Sequence, residues 1–283
     1  MDRLHDKKEK LTAYLKRLGR IAVAFSSGVD STFLLKAAHE TLGDNVIAVI
    51  GQTVSFPERE YRDAVAFCEE LGVKYVVVRI DQMAVDEFRN NEPDRCYHCK
   101  KALFTELLKA AQAGFAGEDP AGVCLADGTN ADDDRDYRPG MRALRELDVV
   151  SPLKDAGLTK QDIRDLSRET GLSTWDKPSF ACLATRIPCG EEITPEKLRQ
   201  IEDAEECLFE LGFTQVRVRH HGDVARIEVE PAEMYRLVPK TELHESTAEL
   251  VVRRLREIGF RYVALDLCGY QTGSMNARGS EQL

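Results

Sequence analysis

Apolar and polar positions divide the chain into two stretches of different rhythm. From residue 5 to 18 apolar side chains recur at helical spacing, and a continuous apolar run at 21–25 follows as a strand. Phe33, Leu34, Ala37 and Ala38 give Asp30 to Leu42 one apolar helical face. Val46 to Ile50 is an unbroken apolar run, as in a strand covered on both faces. Pro57, at or near a first helical position, opens a helix to Gly72, and Lys74 to Ile80 is a third strand. A helix from about Tyr97 to Ala113, a strand Val123 to Ala126, a polar loop Asp127 to Asp134, a helix Pro139 to Leu147 and a short strand Val149-Val150 continue the alternation. Such βα repetition predicts a parallel sheet with helices on both faces.

The rhythm changes after Gly190. Thr194 caps a long helix to Leu211 with Pro195 behind it, and strands Gln215 to His220 and Ala225 to Val229 are joined as a hairpin through His221-Gly222-Asp223. Helices near 231–237 and 242–258 precede a last strand, Tyr262 to Leu267. The expected organisation is an α/β domain over 1–152, a hinge and active-site segment over 153–190, and a smaller C-terminal α+β domain over 191–283 that serves the substrate or oligomerisation. Gly114 to Gly122 is expected to be a surface loop.

At 283 residues, with 31% charged and 43% hydrophobic side chains, the chain has the make-up of a globular enzyme. A net charge of −10 argues against a general nucleic-acid binder, which needs clustered Lys and Arg. No apolar run approaches a membrane span, and the charged start has no signal-peptide core, so no membrane partner and a cytoplasmic location are expected. In that compartment eight cysteines read as thiols, ligands or catalysts rather than disulfides.

Candidate chemistry begins at Ile21-Ala-Val-Ala-Phe-Ser-Ser-Gly-Val-Asp-Ser31, a strand, a serine/glycine turn and a helix start. Free N–H groups at such a junction hold phosphate. Gly28 permits close approach, while the Ser26, Ser27 and Ser31 hydroxyls add donors. A carboxylate there, Asp30, calls for a cation between it and the phosphates. The run lacks the lysine of a Walker A loop and is not G-x-G-x-x-G. It resembles the S-G-G-x-D-S loop of the ATP pyrophosphatases (the PP-loop enzymes), with Ser27 where that family has glycine. Because ligands in parallel sheets lie at the carboxyl ends of the strands, residues 25–31, 51–56 and 127–132 are expected to converge on one nucleotide. Thr53, Gly128 and Thr129 join the serines, Gly28 and Asp30 as candidate ATP contacts.

Sulfur lies in two suggestive settings. Arg95-Cys-Tyr-His-Cys-Lys100 is a C-x-x-C at a helix start, where the helix terminus and flanking cations favour thiolates. Cys182 lies in the loop-like Lys177-Pro-Ser-Phe-Ala-Cys-Leu-Ala-Thr-Arg-Ile-Pro-Cys-Gly190, near Arg186. A C-x-x-C alone fits half a zinc site, a redox pair or part of an iron–sulfur site. Cys96, Cys99 and Cys182 with His98 make a zinc set, while three thiolates without a fourth fit a cluster with one open iron. Cys189 reads as a loop thiol, and Cys68, Cys124, Cys207 and Cys268 read as buried core thiols.

Further motifs are Phe56-Pro-Glu-Arg-Glu60, Asp127-Gly-Thr-Asn-Ala-Asp-Asp133, Arg138-Pro-Gly-Met-Arg-Ala-Leu144, Trp175-Asp-Lys-Pro178, Cys182-Leu-Ala-Thr-Arg-Ile-Pro188 and Gly273-Ser-Met-Asn276. With the first loop and the C-x-x-C, their order closely resembles the LarE family of ATP-dependent sulfur transferases, from about residue 5 to 276. That resemblance implies a PP-loop ATP pyrophosphatase domain that adenylates a carboxylate of pyridinium-3,5-dicarboxylate mononucleotide, releases pyrophosphate, and makes a thiocarboxylate for a nickel-pincer nucleotide cofactor. One branch of the family consumes a single cysteine. The other holds a [4Fe-4S] cluster on three cysteines, and Cys96, Cys99 and Cys182 match that type, with the sulfide donor unassigned. ATP, Mg²⁺ and the cluster are the implied cofactors, Cys182, Asp30 and Arg186 the implied catalytic set, and a homohexamer the implied assembly.

Arg217 and Arg219 alternate on one strand and share a face, in the region where the family contacts the substrate phosphate. A solvated edge strand is the plainer reading of the pair. Arg186 either neutralises an adenylate phosphate or holds an acid in the hinge. Glu228 is a possible partner of these arginines, and His220 and His221 read as exposed turn residues. Trp175 reads as packing beside the hinge. The competing readings are a tRNA thiolation enzyme, which lacks a basic face here, an ammonia-dependent amidating synthetase, which leaves the cysteines unexplained, a sacrificial-cysteine transferase without a cluster, and a nucleotide- or zinc-binding scaffold.

Overall fold

The computed structural model describes residues 3–115, 122–133, 140–178, 181–238 and 246–271. The expected surface loop at Gly117 to Pro120, the Arg138-Pro139 helix start, residues 242–245 and the Gly273-to-Asn276 motif lie outside these. Two compact units emerge, residues 1–85 with 94–180, and 86–93 with 181–283.

In the first unit the elements run α1 (Arg3–Leu18), β1 (Ile21–Ala24), α2 (Val29–Leu42), β2 (Val46–Gln52), α3 (Glu58–Leu71) and β3 (Lys74–Arg79). After the short α4 (Asp86–Arg89), which belongs to the second unit, come α5 (Arg95–Gly114), β4 (Cys124–Ala126), α6 (Gly140–Glu146), α7 (Pro152–Asp155) and α8 (Lys160–Glu169). The strands form a parallel sheet in the order β3-β2-β1-β4, with Ile21 beside Val46 and Cys124. The expected strand at Val149-Val150 reduces to a single parallel bridge from Val150 to Ala126.

Period-two alternation builds the two layers. Ile21, Val23, Ala48 and Ile50 face a core made with Leu11, Phe33, Ala64, Leu153 and Ile163, whereas Ala22, Ile47 and Val49 face one made with Phe104, Leu107, Ala111 and Leu144. The stretch 153–178, read as part of a hinge, is built into the first of these cores. Thr159 and Asp162 form a reciprocal capping box that starts α8, and Leu153, Leu158, Ile163 and Leu166 are buried. Of its ten residues only Ile163, Leu166 and Ser167 are buried, so α8 is a mostly polar helix that carries one narrow apolar stripe.

The second unit contains α4, α9 (Pro195–Glu210), β5 (Val216–His221), β6 (Val224–Val229), α10 (Thr247–Ile258) and β7 (Tyr262–Leu265). β5 and β6 pair antiparallel across the turn at Gly222, whose φ of 61° lies in the left-handed region, and β7 adds parallel to β6. Val216, Val218, Ala225, Ile227 and Val229 pack on Ala204, Leu208, Val251 and Leu255. The opposite face carries Arg217, Arg219, Arg226 and Glu228. Residues 86–93 join this unit through hydrogen bonds from Gly190 N to Asn91 O (3.0 Å) and from Ile193 N to Arg89 O (2.8 Å). Among the described residues no helix is long and apolar enough to cross a membrane.

Candidate functional site

β1 runs into a loop that is closed on itself. The Ser31 hydroxyl donates to Gly28 O (3.2 Å) and accepts from Ser26 N (3.3 Å), and the Ser26 and Ser31 hydroxyls lie 3.2 Å apart. Gly28 is the N-cap of α2 and offers no side-chain cap, so the first-turn N–H groups have no side-chain acceptor. Ser27 is buried with φ at 53°, in the left-handed region that explains glycine at this place in related loops. Its Oγ donates to Glu60 O and Glu60 Oε2, each at 3.0 Å, and Lys177 Nζ sits 2.8 Å from Glu60 Oε2.

The loop after β4 arrives from the other side. A Cβ on Gly128 would lie 3.0 Å from Ser31 N and 3.3 Å from Asp30 Cβ, so the two loops touch backbone to backbone. Asp127 is held by the Ser151 hydroxyl (2.7 Å) and by Thr129. Thr53 accepts the Phe56 N–H through its carbonyl in the turn after β2 (3.1 Å). Farther along that turn, Ser55 Oγ donates to Gln82 Oε1 (2.8 Å), and Gln82 Nε2 donates to Cys99 Sγ (2.9 Å). Gln82, buried and seventeen residues from Cys99, carried no motif signal.

Lys160 is the residue that sequence reasoning missed. Its backbone N–H donates to Asp132 Oδ2 (2.9 Å), which ties the start of α8 to the 127–133 loop, and its Nζ lies 2.5 Å from Asp30 Oδ2. The cation beside Asp30 is thus an ammonium from 130 residues downstream. The Thr159-x-x-Asp162 capping box was a legible signal for the helix, but not for this partner.

Cys96 and Cys99 lie at the start of α5 outside any disulfide, Cys96 exposed and Cys99 partly buried. Tyr97 between them is clamped. Its hydroxyl donates to Glu146 Oε2 (2.8 Å), which also takes Lys101 Nζ (2.8 Å), while Arg142 Nε donates to Glu146 Oε1 (2.9 Å) and Arg142 stacks 4.0 Å over the tyrosine ring. Hydrogen bonds from Lys101, then Arg142 and Tyr97, pull the Glu146 carboxyl down to about 2. His98 pairs with Asp94 at 3.1 Å. Cys68 and Cys207 are core thiols, and burial pushes Cys68 up to about 12. Cys268, expected as core, is instead exposed beyond the end of β7, and Cys124 is only partly covered.

Cys182, in the second unit, is an exposed cysteine outside any disulfide, at the N-cap of a one-turn helix, Leu183–Arg186. Its carbonyl accepts from Thr185 N (3.0 Å), Thr185 Oγ1 (2.8 Å) and Arg186 Nη1 (3.1 Å). Arg186 is fully buried and bidentate to Glu205 (2.8 and 2.9 Å), and also reaches Ala181 O (2.7 Å). Its partner is on α9, not in the hinge, and its evident effect is to fix the main chain that carries Cys182. Among the described residues no group of three or more His, Cys, Asp or Glu side chains is gathered as a metal ion requires.

Arg219 is likewise bidentate, to Glu228 (3.0 and 2.7 Å), and Arg226 joins Glu228 (3.3 Å) and Asp266 (2.5 Å). Arg217 and Arg219 are 3% and 4% exposed, so β5 is not a solvated edge despite its position. Burial, then the nearby Arg186, pushes the Arg217 guanidinium down to about 10, and the group lies 5.1 Å from the Tyr270 ring centroid. Arg217 Nη1 donates to Val216 O (2.7 Å), and Arg186, Arg219, Glu205 and Glu228 are buried in the same unit. His220 is buried too, against Phe260 on the core face of β5, with Nε2 3.2 Å from Gln200 Oε1. The turn position expected for it belongs to Gly222 and Asp223.

Comparison with known proteins bears on this arrangement directly. Residues 4–110 match the NAD synthase family model. Over 280 residues, 98% of this chain and 96% of the relative, the sequence is 39% identical to the pyridinium-3,5-bisthiocarboxylic acid mononucleotide synthase of Lactiplantibacillus plantarum. It is also 39% identical to an uncharacterized protein of Synechocystis sp. over 274 residues, 96% of this chain and 98% of that one. The tRNA-specific 2-thiouridylase MnmA of Bradyrhizobium sp. is 30% identical over 191 residues, covering 56% of this chain and 48% of that enzyme. With a parallel sheet, an uncapped loop-helix junction and 39% identity to such a synthase over nearly its whole length, the chain belongs to the LarE family of PP-loop ATP-dependent synthases.

Proposed function

We propose that the enzyme uses ATP to activate a carboxylate of pyridinium-3,5-dicarboxylate mononucleotide and replaces a carboxylate oxygen with sulfur. The observation that carries this reading is the junction of Gly28 and α2, uncapped by any side chain and met by Gly128 at backbone distance. It offers N–H groups to phosphate. The substrate carboxylate attacks the α-phosphorus and pyrophosphate leaves. The acyl adenylate then takes a sulfur nucleophile at its carbonyl carbon and AMP leaves, so each activated carboxylate consumes one ATP. The protein's part is positioning and charge neutralisation.

Asp30 is the residue suited to hold Mg²⁺, since its Oδ1 has no hydrogen-bond partner. Ser26, Ser27, Ser31, Thr53 and Thr129 border the same loops and complete the ATP set in this reading. Arg217 and Arg219, two guanidinium groups on one face of β5, suit the phosphate of the mononucleotide. Cys96, Cys99 and Cys182 would hold the [4Fe-4S] cluster, a reading supported by the donor chemistry of three cysteines outside any disulfide, the first two three residues apart on one helix. Bound there, a cluster with one iron not taken by cysteine supplies a coordination position for the sulfide to be transferred. A second reading, in which Cys182 gives up its own sulfur, is favoured by its exposure at the N-cap of a one-turn helix. Homohexamer assembly and a cytoplasmic place of action belong to the same proposal.

The test supplies ATP and the mononucleotide to protein purified without oxygen. Pyrophosphate release that depends on the mononucleotide, with product mass raised by sulfur-for-oxygen exchange, is the expected result. Release driven by tRNA instead would replace the substrate assignment. Iron and acid-labile sulfide that disappear in Cys96→Ala would support the cluster. A metal-free protein whose Cys182 loses its sulfur in one turnover would establish the second reading.

A further inference from the structure

Asp30 and Lys160 form an ion pair that ATP chemistry at this site has to open. The pair is only partly covered, with side-chain exposures of 22% and 31%. Both backbones are anchored, Asp30 in the first turn of α2 and Lys160 at the capped start of α8, with its N–H on Asp132. What can move is the four-carbon lysine stem. Asp30 Oδ2 takes the ammonium, whereas Oδ1 is shut from solvent and accepts no hydrogen bond. A carboxylate oxygen without a donor is poorly satisfied. The neighbouring Asp127 is in a different state, with one oxygen on Ser151 and the other on Thr129. Asp30 therefore has acceptor capacity to spare beside the junction where the phosphates are proposed to lie.

We infer that Lys160 is an exchangeable counter-ion, neutralising Asp30 while the loop is free of nucleotide and moving onto the phosphates when a divalent cation takes its place on Asp30. The electrostatics require an exchange rather than an addition. An ammonium 2.5 Å from one carboxylate oxygen repels a divalent cation approaching the other. A nucleotide that arrives with its own cation brings a new partner for both groups at once: metal for Asp30, phosphate oxygens for Lys160. Without nucleotide, Lys160 bars the metal. With it, Lys160 becomes a phosphate contact. Assigning the phosphates as its destination rests on the proposed ATP reading. The competition at Asp30 does not, and the two are tested separately.

The probe is Mn²⁺, titrated by electron paramagnetic resonance into the full chain without nucleotide. Lys160→Met is expected to bind Mn²⁺ about tenfold or more tightly than the unaltered protein, the scale of removing one unit charge beside a partly exposed carboxylate. Lys160→Arg keeps the charge and is expected to exclude the metal as lysine does. Adding Asp30→Asn to Lys160→Met should erase the gain. Equal Mn²⁺ affinity in Lys160→Met and the unaltered protein, or a gain that survives Asp30→Asn, overturns the exchange. Circular dichroism melts of the methionine and arginine variants show that the fold is intact. With Mn²⁺ saturating, ATP affinity should fall about tenfold in Lys160→Met. Unchanged ATP affinity would overturn the phosphate destination while leaving the competition at Asp30 standing. None of these readouts needs the sulfur-acceptor substrate, so failure of the sulfur-transfer reading would register only in the pyrophosphate assay.

Discussion

Ser27 holds Glu60 from a backbone conformation that serine seldom adopts, with φ at 53° and its Oγ 3.0 Å from both the carbonyl and Oε2 of that residue. The same glutamate takes Lys177 at 2.8 Å, so the 26–31 loop, the start of α3 and the Trp175-Asp-Lys-Pro178 motif meet on one side chain. A serine in place of glycine thus exchanges backbone ease for a buried hydrogen bond.

This exchange fixes the order of two variants. Ser27→Ala loses the bond and keeps the strained φ, and should cost about 1–3 kcal/mol. Ser27→Gly loses the same bond but recovers about 1 kcal/mol of backbone strain. Urea midpoints should therefore rank the native protein first, the glycine variant second and the alanine variant last, at unchanged m-value. An alanine variant as stable as the glycine one would mean that the left-handed turn carries no strain.

Gly128→Ala tests the meeting of the two loops. The added methyl would sit 3.0 Å from Ser31 N and 3.3 Å from Ser31 Cα, against backbone that cannot rotate away. The expected result is a folded protein whose ATP affinity is lower by about tenfold or more, as titration calorimetry would show. Native affinity would put the phosphates elsewhere.

The buried Arg186 and Glu205 pair should behave as a unit. Glu205→Gln leaves a buried guanidinium without its counter-charge and should cost about 3–5 kcal/mol, whereas the Arg186→Met, Glu205→Leu double variant should cost less than the two single changes together. Because Arg186 also grips Ala181 O and Cys182 O, single Arg186 variants should speed alkylation of Cys182 and leave Cys96 unaffected. Additive stability losses with unchanged Cys182 reactivity would deny the pair its positioning role.

Stability should fall as pH drops below neutrality. Burial first, then Lys197, holds His220 below its ordinary value, and burial and Arg226 do the same for His221. Between the lowered folded value and the unfolded value of about 6.5, the unfolded chain binds protons that the folded chain refuses, so stability rises with pH across that window and levels off above it. Thermal midpoints measured from about pH 7.5 down to about pH 5.5 should decline, and His220→Gln should flatten the decline. The same slope in the variant would assign the loss to other groups.

Much of this molecule was legible in one dimension. The sheet strands and the α2, α3, α5 and α9 helices follow from apolar periodicity and capping, because those signals are local and each buries a continuous face. The C-x-x-C on the first turn of α5 and the bare junction before α2 were readable for the same reason. The α8 helix announced itself only by its Thr159-x-x-Asp162 capping box, since few of its side chains are apolar, and the passage of 86–93 into the second unit leaves no periodic trace at all. His220 was misread because period two alone does not say which face of β5 meets the core.

By itself, then, the sequence determined the alternating α/β order, the serine/glycine turn before α2 and the inventory of cysteines, all set by neighbours within a few residues. Tertiary structure alone decided the partners of the charges: Asp30 with Lys160, Ser27 with Glu60 and Lys177, Arg186 with Glu205, Arg219 with Glu228. A charged side chain declares its sign in the sequence. Which opposite charge it meets depends on how distant segments are packed, and burial then makes that meeting far stronger than the same pair would be in water.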